Sequence, residues 1–198
     1  MGDQRKDRDV NGKRIVILKG SPREQSNSSI LADQVAAGAK EAGAEVELFS
    51  LSDMEIHPCR ACEVCHTSAD SQCAIQDDMQ GLFPKLRAAD GIVIASPVYW
   101  FTFNAQTKAC IDRWYSLESP QGNALAGKQF ALVLAYGDTD PYSSGAVNAI
   151  RAFQDMTHYL RATVAGIVYG SGGEAGTIQQ PKTLVKAYEL GQKLVASG

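Results

Sequence analysis

The 198-residue chain has little excess charge of either sign: 19 Lys and Arg stand against 22 Asp and Glu, a net charge of −3. With no basic stripe along it, that balance excludes a surface built to neutralise nucleic-acid phosphates. No apolar run approaches the ~20 residues needed to cross a bilayer, so no membrane partner is expected. The opening segment, MGDQRKDRDVNGKR, lacks the apolar centre of a secretory leader. It also lacks the Ser or Thr that a myristoylation signal places after Gly2. Residues 1–13 are therefore expected to form a polar tail, and the cytoplasm is the expected compartment. No Ser–His–Asp set and no paired carboxylates stand out, so acid–base hydrolysis has no visible machinery.

What is present is alternation. With 44% hydrophobic residues, the chain has material for one core and one domain over residues 14–198. Apolar runs at Arg14–Lys19 (RIVILK), Gly91–Ala95 (GIVIA) and Phe130–Tyr136 (FALVLAY) read as buried strands. Glu45–Phe49 alternates polar and apolar residues, as an edge strand does, and Thr163–Tyr169 supplies a fifth. Helices are expected near 28–41, 78–88, 104–115, 145–160 and 181–195, the second capped by Asp77 and Asp78. The pattern is that of a doubly wound α/β domain, a five-stranded parallel sheet with helices on both faces. Ligands of such sheets sit outside the carboxyl ends of the strands, which directs attention to the loops after Lys19, Ala95 and Tyr136.

The first of these loops, Gly20 to Ser29, is GSPREQSNSS. It concentrates hydroxyls, one guanidinium and backbone N–H groups at a helix N-terminus, the donor set that holds a phosphate monoester. It lacks GxxxxGK[ST] and GxGxxG, which argues against a triphosphate or a tightly bound dinucleotide. A loop that merely caps its helix uses the same residues. The second loop, Ser96 to Asn104, is SPVYWFTFN. Its aromatic run at the mouth of a sheet suits a flat slot for a planar ring, or equally a contact between subunits.

Taken as a pair, GSPREQSNSS and SPVYWFTFNAQTKACIDRW resemble the NAD(P)H-dependent FMN reductases of the flavodoxin-like superfamily. The resemblance implies strand order 2-1-3-4-5, FMN as cofactor and NAD(P)H as co-substrate. It places the FMN phosphate on Ser21, Arg23, Ser26, Asn27 and Ser28. The isoalloxazine falls to Pro97, Val98, Tyr99, Trp100 and Phe101, and Tyr136, Gly137 and Asp138 close the far side of the ring. Relatives of this kind form homodimers or homotetramers, which is the expected assembly.

The cysteines are the other departure from ordinary composition. Cys59-x2-Cys62-x2-Cys65-x7-Cys73 lies in an insertion expected to be irregular, at about 52–76. Such crowding in a reducing compartment points to metal or redox chemistry rather than structural disulfides. The opening C-x2-C-x2-C is shared with bacterial ferredoxins, although the fourth cysteine is not followed by proline. The run also resembles that of the iron–sulfur flavoproteins, in which a [4Fe–4S] cluster exchanges electrons with FMN. Zinc with His57 or His66, a dithiol that cycles to a disulfide, and idle thiols remain open. Cys110 is expected in the core. His158 is expected at the surface, and Asp112 with Arg113 as a helix-end ion pair. Two functions compete: an FMN oxidoreductase fed by NAD(P)H or a ferredoxin-like donor, and a non-enzymatic electron carrier or redox sensor. Either way the partners are an electron donor and an acceptor.

Overall fold

A computed structural model describes residues 12–67, 72–120, 122–178 and 181–196. The expected tail lies almost wholly outside the described residues. Five parallel strands form the central sheet: β1 (Arg14–Lys19), β2 (Glu45–Ser50), β3 (Gly91–Tyr99), β7 (Gln129–Tyr136) and β8 (Thr163–Ser171). Their order is β2-β1-β3-β7-β8, which is the flavodoxin-like 2-1-3-4-5 arrangement expected from the sequence.

Alternation along each strand divides the core in two. Ile15, Ile17, Val93 and Val133 face α1 (Asn27–Glu41) and α6 (Pro181–Ala196). Val16, Leu18, Ile94 and Leu132 face α3 (Met79–Ala88), α4 (Ala105–Asp112) and α5 (Ala146–Tyr159). The two-residue period of a strand makes this division automatic. On the first face α1 and α6 cross at contact distance through two glycines. A Cβ on Gly38 would lie 2.0 Å from the Tyr188 carbonyl oxygen, and one on Gly191 would lie 2.1 Å from that of Val35. Pro181 opens α6, where its missing N–H costs nothing.

Three local expectations are corrected. The aromatic segment is not a plain loop: β3 continues through Tyr99 and turns back as β4 (Thr102–Phe103), pairing Val98 with Phe103 and Tyr99 with Thr102. Ser96 and Pro97 continue the β7 ladder opposite Leu134 and Ala135, and these pairs with those to β4 extend the strand past the apolar run that announced it. The helix expected over 104–115 ends at Asp112, and Arg113–Leu117 tightens into a 3-10 helix. Asp112 does not pair with Arg113; it takes Lys108 one turn earlier at 2.5 Å. Arg113 turns inward, fully buried, to Asp77. The irregular insertion contains one short helix, α2 (Val64–Thr67), and two short strands, β5 (Glu118–Ser119) and β6 (Gly122–Asn123), form a separate hairpin. As expected, Cys110 is buried and His158 is exposed.

Candidate flavin site and cysteine site

The loop after β1, expected to hold a phosphate, is built on Gly20 and Ser26. Gly20 N–H donates to Ala95 O, stitching the end of β1 to β3. A Cβ at Gly20 would sit 1.9 Å from Thr107 Oγ1, so no other residue fits beneath the loop. Ser26 is the N-cap of α1, its hydroxyl accepting from Ser29 N–H at 3.1 Å. Ser21, Ser26, Asn27, Ser28 and Ser29 are all buried, a density of polar side chains that an apolar core would not retain. The first-turn N–H groups of α1 have no partners within the helix and point the same way. Arg23 stands at the rim and makes no ion pair among the described residues.

The hairpin is held to that loop by a buried network. Asn104 caps α4, with its Oδ1 accepting from Thr107 N–H, Thr107 Oγ1 and Ser96 Oγ at 3.4, 2.6 and 3.1 Å. Its Nδ2 donates to Gly20 O at 2.5 Å. Trp100 and Phe101, the two residues of the turn, have φ of 45° and 68°. Left-handed backbone at two consecutive aromatics is costly and marks a place where shape outweighs local preference. Gly145, at φ 74°, makes room for it: a Cβ there would meet Phe101 at 2.5 Å. Asn148 Nδ2 donates to Phe101 O at 3.1 Å, fixing the turn to α5. The Trp100 indole is 92% exposed.

Two adjoining cavities at the carboxyl end of the sheet take in every residue expected to touch FMN. The first, of ≈200 Å³, is walled by Ser21, Arg23, Ser26, Asn27 and Ser28 on one side. Pro97, Val98, Tyr99, Tyr136 and Gly137 line the rest of its reach. The second, of ≈290 Å³, is bounded by Trp100, Phe101 and Asp138, and shares Val98, Tyr136 and Gly137 with the first. Residues missed by sequence reasoning add to both: Gly172, Gly173 and Ala175 after β8 line the first, and Ser143 and Ser144 before α5 line the second. The glycine cluster was the available signal for the first group. Asn27 explains their place, because its Nδ2 donates to Gly172 O and Glu174 O at 2.9 and 2.8 Å and its Oδ1 accepts from Ile178 N–H. The Asn27 side chain thus braces the last loop, and its backbone is left for a ligand. The Asp138 carboxylate accepts from Thr139 N–H at 2.7 Å, so it serves its own turn. Burial, then the neighbouring Tyr169 and Asp140, holds the Tyr136 phenol above its ordinary pKa and therefore neutral. A donor-rich, hydroxyl-lined end joined to an aromatic end fits a phosphorylated flavin.

The four cysteines line one separate cavity with Ala74, Ile75, Arg113 and Tyr115. Cys59 and Cys62 are exposed, Cys65 buried and Cys73 between. Ala61 and Glu63, on either side of Cys62, both have left-handed φ, 50° and 59°. Strain at two non-glycine residues flanking a thiol is a mark of function. Ala61 N–H donates to Cys59 Sγ at 3.5 Å. Burial, followed by the nearby Cys73 and, less, Cys59 and Cys62, raises the Cys65 thiol against the lowering effect of a backbone hydrogen bond. His66 is stacked on Tyr115 at 4.2 Å, and its Nε2 lies 2.9 Å from Tyr115 O. Among the described residues no three Cys, His, Asp or Glu side chains close around a single metal ion. The four thiols nonetheless line one cavity, with the Ala61 N–H aimed at the sulfur of Cys59.

Comparison with known proteins agrees with this geometry. Residues 13–176 match the family model described as NADPH-dependent FMN reductase. An iron-sulfur flavoprotein of Methanosarcina thermophila is 34% identical over 153 residues, 77% of each chain. One of Archaeoglobus fulgidus is 32% identical over 162 residues, 82% of this chain and 77% of that one. The solved NAD(P)H:quinone oxidoreductase from Methanothermobacter marburgensis shares the fold, with a TM-score of 0.71 at 18% identity over 92% of this chain and 97% of that one. The family match over most of the chain and relatives this similar lead to one assignment: the protein belongs to the NADPH-dependent FMN reductase family.

Proposed function

We propose that this oxidoreductase binds FMN across the two cavities, takes reducing equivalents from NAD(P)H or a ferredoxin-like protein, and exchanges electrons with a [4Fe–4S] cluster held by Cys59, Cys62, Cys65 and Cys73. The observation that carries the FMN half is the continuity of a hydroxyl-lined cavity with an aromatic one at the ends of β1, β3 and β7. Bound there, FMN supplies hydride and single-electron chemistry. The chain's own residues bind and orient. Ser21, Ser26, Ser28 and the α1 N-terminus receive the phosphate, with Arg23 adding charge at the rim. Pro97 to Tyr99 offer backbone groups and one apolar wall for the ring. Trp100 and Phe101 form a lip, braced by Gly145 and Asn148, beside the open cavity in which a second reactant would lie. For the cluster, the supporting observation is the shared cavity of the four thiols. The family relationship of the two iron-sulfur flavoproteins points the same way.

One anaerobic preparation tests both halves: flavin identified by chromatography, iron and acid-labile sulfide per chain, and bleaching of flavin absorbance by NADPH. FMN with about four irons is the expected result for one cluster. FAD, or no flavin affinity, overturns the first half. Stoichiometric zinc, or no iron after reconstitution, overturns the second and leaves the first standing.

A further inference from the structure

We propose that Arg113 is the positioning residue of the cysteine site, clamping the two arms of the segment together and presenting a fixed positive charge to the sulfur of Cys73. This rests on the cluster assignment above for its electronic part and on the fold alone for its mechanical part.

Arg113 is among the largest fully buried side chains of the protein. Its Nη1 donates to His57 O on the arm that enters the segment, at 2.9 Å, and to Asp77 Oδ2 at 2.5 Å. Its Nη2 donates to Cys73 Sγ at 3.2 Å and Ile75 O at 3.3 Å, both on the returning arm. One planar fork therefore spans both arms, a task that a single ammonium cannot perform in the same geometry. Asp77 completes the clamp by accepting from His57 N–H at 2.9 Å. Neither charged side chain is exposed at all, so each needs the other. A guanidinium stays charged in any protein setting, so the pair is a fixed one.

A buried ion pair against an irregular segment has no obvious use for the sheet itself. The 3-10 helix that carries Arg113 also supplies Tyr115, on which His66 stacks and whose hydroxyl donates to Glu63 at 2.9 Å. The segment thus docks on this one turn by both arms and by its short helix. Hydrogen bonds and positive charge at a ligating sulfur stabilise the more negative, reduced state of a cluster, so Arg113 raises its potential.

The test compares the parent with Arg113→Lys, Arg113→Met and Asp77→Asn. In iron-free protein, hydrogen exchange followed by mass spectrometry reads the clamp. Peptides covering 55–67 and 72–78 should exchange at least tenfold faster in Arg113→Met, with peptides of β1, β3 and β7 unchanged. Arg113→Lys should fall between. In reconstituted protein, the cluster potential should shift to more negative values in Arg113→Met and return part of the way in Arg113→Lys. Unchanged exchange in the cysteine segment overturns the clamp, and an unchanged potential in a cluster-loaded Arg113→Met overturns the charge effect. If Arg113→Met does not fold, exchange in Arg113→Lys and Asp77→Asn decides the clamp, and the cluster potential of Arg113→Gln, which keeps a donor without the charge, decides the charge effect. Absence of iron in the parent itself overturns the cluster assignment and the electronic part together, and the exchange measurement still decides the mechanical part.

Discussion

Asn104 is the residue whose loss should be felt in both stability and flavin binding. It is 1% exposed, caps α4, and joins the loop after β1 to the β3–β4 hairpin through Gly20 O. Asn104→Ala removes an N-cap, worth about 1 kcal/mol. It also leaves the Gly20 carbonyl and the Thr107 hydroxyl buried without a partner, at about 1–3 kcal/mol each. Ser96 keeps a bond, since its Oγ also donates to Pro97 O at 2.8 Å. Taking the low end of each range, the variant should be destabilised by about 3 kcal/mol. For a chain of this size that lowers Tm by about 6–12 °C. Asn104→Ser separates the two roles, because a serine still caps α4 but is too short to reach Gly20 O. It should lose less stability and still lose FMN affinity, since Gly20 O is no longer held to the β3–β4 hairpin and α4. Thermal unfolding followed by circular dichroism and FMN titration by fluorescence quenching provide the two readouts. An Asn104→Ala variant within about 1 kcal/mol of the parent, with unchanged FMN affinity, would refute the network as the link between the loops.

Arg23→Ala should weaken FMN by about 1.5–3 kcal/mol and riboflavin far less, because only FMN carries the phosphate; equal losses on titration would remove Arg23 from that contact. Trp100→Asn should stabilise the protein by about 1 kcal/mol, since Asn tolerates the left-handed backbone and the exposed indole gives up little packing, while NADPH-dependent turnover of bound flavin falls. A variant that loses stability would mean that the turn is not strained. Gly191→Ala pushes a methyl into the Val35 carbonyl and should cost about 1–3 kcal/mol or more, read as a lower denaturant midpoint without loss of FMN specificity. The Asp77 carboxyl is pushed up by burial but pulled below its ordinary range by the Arg113 and His57 bonds, the stronger combined effect. Its contribution is therefore complete above the unfolded carboxylate pKa of about 3.9 and is lost as pH falls below it. Asp77→Asn should flatten the acid limb of the stability curve and cost about 3–5 kcal/mol at pH 7, because Arg113 remains buried; an unaltered acid limb would contradict the assignment.

Much of this molecule was legible along the chain. Apolar runs such as RIVILK and FALVLAY can be buried only on both faces, so they announce a parallel sheet, and the spacing between them announces crossover helices. Ser21 to Ser28 could be placed as a polar loop at a helix N-terminus because a buried strand is followed at once by hydroxyls and a helix start. These are local signals, carried by neighbouring residues. What folding alone decided lies between residues far apart in sequence. Arg113 and Asp77 each read as a residue at a helix end, and nothing nearby shows that 36 positions of separation vanish into one buried pair. Asn27 looked like a phosphate ligand until Gly172, 145 residues away, took its amide. The turn at Trp100 and Phe101 defies backbone preference, which local rules cannot foresee. It is held by Gly145 and Asn148 from a different helix, and only tertiary packing can overdetermine a strained conformation.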